Sequence, residues 1–213
     1  MDPSKPAAGT LVSWPSELLQ QPLTNARARL LELQRESART RPAWRLLPRA
    51  SEVSARLRAR VPAGPIGLFA PVEAWGEAVD LEAFVLAALG AERSNDLAYP
   101  RMQEGGVMSF HHCLLADTEA HSRLPVREAP LKARPCRPRF VFAPCLAADL
   151  EGHRMGRGAG FYDRYLSSHP ECEAMGVLHS NFLTPRFPDA WIRPWDQAVA
   201  ALLTELEFKE IHS

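Results

Sequence analysis

The stretch "GHRMGRGAGFYDRYL", residues 152 to 166, gathers the residue types that could bind and activate a phosphate chain. Gly156, Gly158 and Gly160 recur at every second position, and glycines so spaced let main-chain N–H groups approach an anion with no Cβ in the way. Arg154 and Arg157 lie in the same loop and offer fork-shaped donors to phosphate oxygens. A helix starting near Phe161 would turn its positive end toward the same point. Asp163 then stands where it can hold a magnesium ion shared with the phosphates. A plain glycine turn ahead of an amphipathic helix, with Tyr162 and Tyr165 in the core and Asp163 as a first-turn acid, fits the same spacing. Neither the dinucleotide pattern G-x-G-x-x-G nor a P-loop ending in Gly-Lys-Ser/Thr is present.

A loop of this kind needs a scaffold, and the flanking pattern supplies one. Amphipathic helices are expected at about 24–38, with Thr24 as a possible cap, and at about 50–61. From Ile66 onward, short apolar runs (66–70, 96–100, 106–112, 139–144, 173–180, 198–205) interleave with helix-like segments (80–90, 161–169). That alternation predicts an α/β fold with a mostly parallel sheet covered on both faces, whose ligands sit beyond the carboxyl ends of the strands. Residues 1–15 are read as a flexible tail and 16–213 as a single domain. The proline-rich stretch 113–138 is read as a long surface excursion.

Composition narrows the function. The chain has 213 residues, 46% of them hydrophobic and 23% charged, and 25 basic residues balance 25 acidic ones. Such a profile suits a globular protein and gives no global reason to bind nucleic acid or a membrane. Locally, ten arginines between Arg27 and Arg60 face only Glu32, Glu36 and Glu52. This stripe is a solvated helix face or a site for RNA or an acidic partner. Cys113, Cys136, Cys145 and Cys172 show no C-x-x-C spacing, and the first residues lack the apolar run of a secretory signal, so free thiols and a cytoplasmic location are expected. His111 and Cys113 alternate onto one face of a strand without a fourth ligand, which argues against zinc. His153 and His179 are read as structural. Trp191 and Trp195 are read as packing a surface groove, and Tyr162, beside the glycines, as the better wall for a planar ring.

The pattern G-x-R-x-G-x-G-x-G-[FY]-Y-D-R-x-L resembles the signature of the 5-formyltetrahydrofolate cyclo-ligase family. "GEAVDLEAF", "LAYPRM", "GVMSF", "RFVFAPCLAADLEG" and "WDQAVAALLTE" resemble further family segments in the family's order. The resemblance implies a three-layer α/β/α fold and an ATP-dependent ligase that closes 5-formyltetrahydrofolate to 5,10-methenyltetrahydrofolate. It implies nucleotide binding by Arg29, Arg154, Gly156, Arg157, Gly158, Ala159, Gly160, Phe161 and Tyr162. Folate binding falls to Val72, Glu77 and Arg157 through Phe161, and Mg²⁺ binding to Asp163 and Asp196. Arg154, Arg157 and Tyr162 border the reacting atoms. The implied partner is a reduced folate, with or without a polyglutamate tail, bound by a monomer with no nucleic acid or membrane involved. The sequence departs from the family pattern at Asn25, where a lysine is usual, at Ala159, at Trp195 in place of histidine, and at Ala148-Asp149 in place of Phe-Asp. A second reading therefore stands beside the first: a non-catalytic relative that binds folate or nucleotide.

Overall fold

The computed structural model describes residues 14–40, 46, 49–72 and 79–211. The amino-terminal helices are α1 (Ser16–Leu19), α2 (Leu23–Thr40) and α3 (Ala50–Arg60). Strand β1 (Ile66–Gly67) and helix α4 (Leu81–Leu89) precede β2 (Leu97–Met102) and β3 (Met108–His112). Short strands β4 (Glu119–Ala120), β5 (Arg127–Glu128) and β6 (Pro135–Cys136) lead to β7 (Phe140–Pro144). Then come β8 (Ala147–Asp149), β9 (Arg154–Met155), α5 (Phe161–Ser168), β10 (Glu173–Val177), β11 (Leu183–Thr184), β12 (Ala201–Leu203) and β13 (Phe208–Glu210).

Eight strands form the main sheet in the order β13-β12-β10-β7-β1-β2-β3-β6. The run from β12 to β2 is parallel throughout, and β13, β3 and β6 add antiparallel edges. The expected mostly parallel α/β architecture is present. Alternation along the strands divides the core in two, as the pleat requires. Phe140 and Phe142 of β7 point into a cluster with Val53 and Leu57 of α3 and Phe84 and Val85 of α4. Val141 between them points the other way, toward Ala26 and Leu30 of α2 and Tyr165 and Leu166 of α5. Helices thus cover both faces in three layers. A small sheet, β11-β8-β9, sits on the α2/α5 side and carries the glycine loop at its end.

Several expectations need adjusting. The stretch 113–138 contains the β4–β5 hairpin and an edge strand of the main sheet, β6, and it buries Glu128, Ala129 and Pro130. Prolines limit how long such strands run without stopping them from pairing at an edge. Trp14, assigned to the tail, is buried, and its indole N–H donates to the Asn181 carbonyl at 3.2 Å. The last apolar run pairs only over residues 201–203, and the chain then folds back as β13, which the apolar pattern did not mark.

Much of the arginine stripe is spent inside the molecule. Arg60 bonds Glu173 Oε1 at 2.7 Å, Arg56 donates to the Phe208 carbonyl and Arg58 to that of Ala88, so α3 is tied to β10, β13 and α4. Arg29 and Arg49 pair with Glu32 and Glu52 one turn along their own helices. No disulfide joins the four cysteines; burial pushes Cys172 up to about 12 and Cys113 and Cys136 up to about 11, which keeps these three protonated near neutrality. No helix among the described residues is long and apolar enough to cross a membrane.

Candidate functional site

The site begins at the β8–β9 turn, which one buried carboxylate organises. Asp149 is fully buried, and its Oδ1 accepts the backbone N–H groups of Glu151 and His153 at 3.0 and 2.9 Å. Its Oδ2 accepts the Phe187 backbone N–H at 2.9 Å and lies 3.0 Å from His153 Nδ1. Asp149, Glu151 and His153 bring ligand-type atoms within 4.8 Å of one another. Because the aspartate oxygens already receive backbone donors, this trio caps a turn instead of presenting a cation site.

Beyond β9 the chain runs through the glycine loop into α5. Gly158 has φ +104° and Gly160, the residue capping α5, has φ +66°, conformations that side-chain-bearing residues adopt at a cost of about 1–2 kcal/mol. Ala159 between them keeps an ordinary negative φ, as its Cβ demands. Gly158 and Ala159 are exposed, while Gly156 and Gly160 are half-buried, so the loop opens to solvent. Arg164 braces it from the far side by donating to the carbonyls of Ala159 (2.6 Å) and Gly106 (2.8 Å) and lying over the Phe161 ring.

Two arginines border this loop with donors left over. Arg154 is buried; its Nη2 donates to Asp163 Oδ1 at 2.7 Å, and its guanidinium lies 5.8 Å from the Tyr162 ring centroid. Arg27 comes from α2, and a Cβ placed on Gly158 would lie 3.7 Å from its Nη1. Nε of Arg154 and Nε of Arg27 are both buried without a hydrogen-bond partner among the described residues. Buried cationic donors left unmatched are costly, and an anion in the loop is the natural group to offset them. Arg157 is held by a third residue of this face, Gln34 of α2, whose Oε1 accepts from Arg157 Nη2 at 2.8 Å.

The sequence-derived candidates thus divide. Arg154, Gly156, Arg157, Gly158, Ala159, Gly160, Phe161, Tyr162 and Asp163 all fall on the one loop and the first turn of α5. Arg29 does not join them: it is half-exposed and bound to Glu32, two residues and therefore more than half a turn away from Arg27. Within "RAR", the arginine that borders the loop is Arg27. Asn25, on the position of the missing lysine, is exposed. Asp196 is brought up from the carboxy-terminal segment, because the backbone N–H of its neighbour Gln197 donates to Asp163 Oδ1 at 3.2 Å. Its own Oδ2 accepts the Arg193 N–H at 2.8 Å. Val72 lines a cavity of about 410 Å³ with Pro71, His121, Leu124, Val126 and Arg127, against the β4–β5 hairpin. Glu77 lies outside the described residues.

Arg27, Gln34 and Asp149 escaped sequence reasoning. For the first two a signal existed: they are seven residues apart, on the same side of α2 as the apolar positions Ala26 and Leu30. A polar residue on an inward-facing stripe invites the question of what it meets.

A layered α/β domain with an open glycine loop bordered by arginines, a helix start and two carboxylates has the donors that a phosphorylated ligand would need. Comparison with known proteins narrows the class. The family model described as the 5-formyltetrahydrofolate cyclo-ligase family matches residues 24–205. The 5-formyltetrahydrofolate cyclo-ligases of Escherichia coli K12 and of strain O157:H7 are each 32% identical over 89 residues, 39% of this chain. That match spans 47% of those enzymes, about half their length. The NMR structure of Aquifex aeolicus 5,10-methenyltetrahydrofolate synthetase superposes with a TM-score of 0.63 at 23% identity, covering 91% of this chain and 94% of that one. The Mycoplasma pneumoniae 5,10-methenyltetrahydrofolate synthetase gives 0.51 at 16% identity, covering 89% and 98%. At these identities the structures attest the fold. The chain belongs to the 5-formyltetrahydrofolate cyclo-ligase family.

Proposed function

We propose that this protein is an ATP-dependent ligase that closes 5-formyltetrahydrofolate to 5,10-methenyltetrahydrofolate, releasing ADP and phosphate. The observation that carries this reading is the pair of buried guanidinium Nε atoms of Arg27 and Arg154, without a hydrogen-bond partner among the described residues, that border an open glycine loop. The reaction places the formyl oxygen against the γ-phosphorus; that oxygen takes the phosphoryl group and ADP leaves. N10 then attacks the activated formyl carbon, the ring closes, and phosphate departs. Phosphoryl transfer to so weak a nucleophile depends on positioning and charge neutralisation more than on covalent help.

Main-chain N–H groups from Gly156 to Gly160 cup the phosphate chain, with Arg154, Arg157 and Arg27 as donors around it. Arg154 and Arg157 also border the transferring group, where developing charge is greatest. Tyr162, under the Arg154 guanidinium, and Phe161 close the loop toward the folate. Val72 contributes the apolar wall that a pteridine ring requires, and Glu77 is assigned to the folate by family resemblance. A magnesium ion would neutralise phosphate charge; Asp163 and Asp196 are assigned to it by family resemblance and would hold it through the carboxylate oxygens not already accepting from Arg154, Gln197 and Arg193. Arg27 makes the absence of a lysine at position 25 tolerable, because it brings a permanent cation to the loop from the same helix. This favours the catalytic reading over a folate-binding relative without activity. The partner in this reading is a soluble reduced folate, bound by a monomer.

Methenyl-folate absorbance tests the assignment: product should accumulate only with ATP and Mg²⁺ present. Folded protein that binds folate yet forms none would place it among the non-catalytic relatives. The same assay separates the two arginines of α2. Arg27→Ala should raise the KM for ATP by roughly 10- to 100-fold, the loss of one charge-assisted phosphate contact of about 1.5–3 kcal/mol. Arg29→Ala should stay within about twofold, as expected of an exposed i,i+3 pair. Equal effects at the two positions would reverse the placement of the nucleotide.

A further inference from the structure

Trp191 and Trp195 lie one helical turn apart in sequence and have opposite fates. Trp191 is buried against Phe187, and its indole N–H donates to the Gln21 carbonyl at 2.9 Å. Trp195 is 67% exposed and its ring meets no aromatic or cationic partner among the described residues. The backbone that carries it is nevertheless tightly placed. Gln197 Nε2 donates to the Trp195 carbonyl at 3.2 Å, and Gln197 N–H donates to Asp163 Oδ1 at the same distance. Asp196 closes the turn by accepting the Arg193 N–H. A water-exposed indole is thus carried on a braced turn that is tied to the first turn of α5. Asp163 lies in the first turn of α5, directly after the glycine loop, so the segment that carries Trp195 adjoins the end of the cradle.

Exposing most of an indole forfeits the burial that large aromatics normally supply, and a planar ligand would restore it. The pteridine has another apolar wall, at the cavity lined by Val72 on the β4–β5 hairpin. The remaining planar group of the reaction is the purine base at the other end of the phosphate chain. We propose that Trp195 is a base-stacking residue: its indole face receives the adenine of a nucleotide whose phosphates occupy the 156–160 loop. The inference rests on the ATP-dependent reading above, and it assigns a role to the position where the family pattern would put histidine.

Isothermal titration of the full chain with ATP and, separately, with inorganic tripolyphosphate, both with Mg²⁺, tests the inference. Tripolyphosphate probes the cradle alone, whereas ATP probes cradle and base together. Trp195→Ala should weaken ATP binding roughly 5- to 150-fold, the range for loss of one base–aromatic stack. Tripolyphosphate affinity should stay within about twofold, and Trp195→Phe, which keeps a ring, should recover most of the ATP affinity. Because the side chain is exposed, all three proteins should melt at closely similar temperatures. Unchanged ATP affinity in Trp195→Ala, or an equal loss for both ligands, would overturn the stacking role. So would a loss confined to 5-formyltetrahydrofolate, which would give the indole to the pteridine. If ATP binds the native chain no more tightly than tripolyphosphate, the stack is refuted while the cradle stands; if neither binds, the nucleotide reading fails with it.

Discussion

Replacing Arg154 by methionine is expected to lower turnover by roughly 100- to 1,000-fold, the scale seen when one preorganised donor to developing charge is removed. The substitution keeps much of the side chain's volume, so the loss reflects the guanidinium. It also has a structural cost, because Arg154 is buried and carries the salt bridge to Asp163. Breaking a buried pair by removing one partner costs about 3–5 kcal/mol, and since the Asp163 side chain keeps 20% exposure the lower end is expected here. The two effects separate in a double variant. Arg154→Met with Asp163→Asn should regain most of the lost thermal stability, since no carboxylate is left stranded, which isolates the structural cost. The catalytic effect is read on folded Arg154→Met alone: turnover within about twofold of the native chain would show that Arg154 only supports the fold, and would remove it from the phosphate site.

Asp149→Ala is expected to be the most damaging change to stability outside the two hydrophobic layers. The carboxylate satisfies three backbone N–H groups, of Glu151, His153 and Phe187, and faces His153 Nδ1. Each buried donor left unmatched costs about 1–3 kcal/mol, so a total near 3–6 kcal/mol is expected where some donors can relax toward solvent. That is a large part of the 5–15 kcal/mol that typically holds a domain together. Asp149→Asn keeps one carbonyl acceptor and should lose less. Chemical denaturation measures both. A midpoint for Asp149→Ala within error of the native chain would mean that other contacts hold the β8–β9 turn. The functional consequence follows from the connectivity: this turn delivers Arg154 and the glycine loop, so even folded Asp149→Ala should bind ATP weakly.

The layered α/β plan and the glycine loop leading into α5 were legible in the chain itself, and for local reasons. Short β-rich apolar runs separated by helix-length segments leave few sheet arrangements, and glycines at alternate positions before an acid-bearing helix leave few loops. Ala159 could be assigned its ordinary φ, and Gly158 and Gly160 their freedom, from residue type alone. The excursion at 113–138 was harder, because its strands β4, β5 and β6 are only two residues long and owe their existence to the edges they join.

Which side chains meet was decided by the tertiary fold. The sequence "RAR" offers two equivalent arginines, and only the packing of α2, through Ala26 and Leu30, turns Arg27 to the loop and leaves Arg29 with Glu32 in solvent. Nothing local announces that Asp149 will collect a donor from Phe187, thirty-eight positions later, or that Gln197 will carry Asp196 to Asp163. Trp191 and Trp195 are the same residue type on one short segment, yet one fills the core and the other stands in water. Backbone preferences are set within a few residues and are written in the chain, whereas burial and partnership depend on surfaces from distant segments that exist only once the layers have closed.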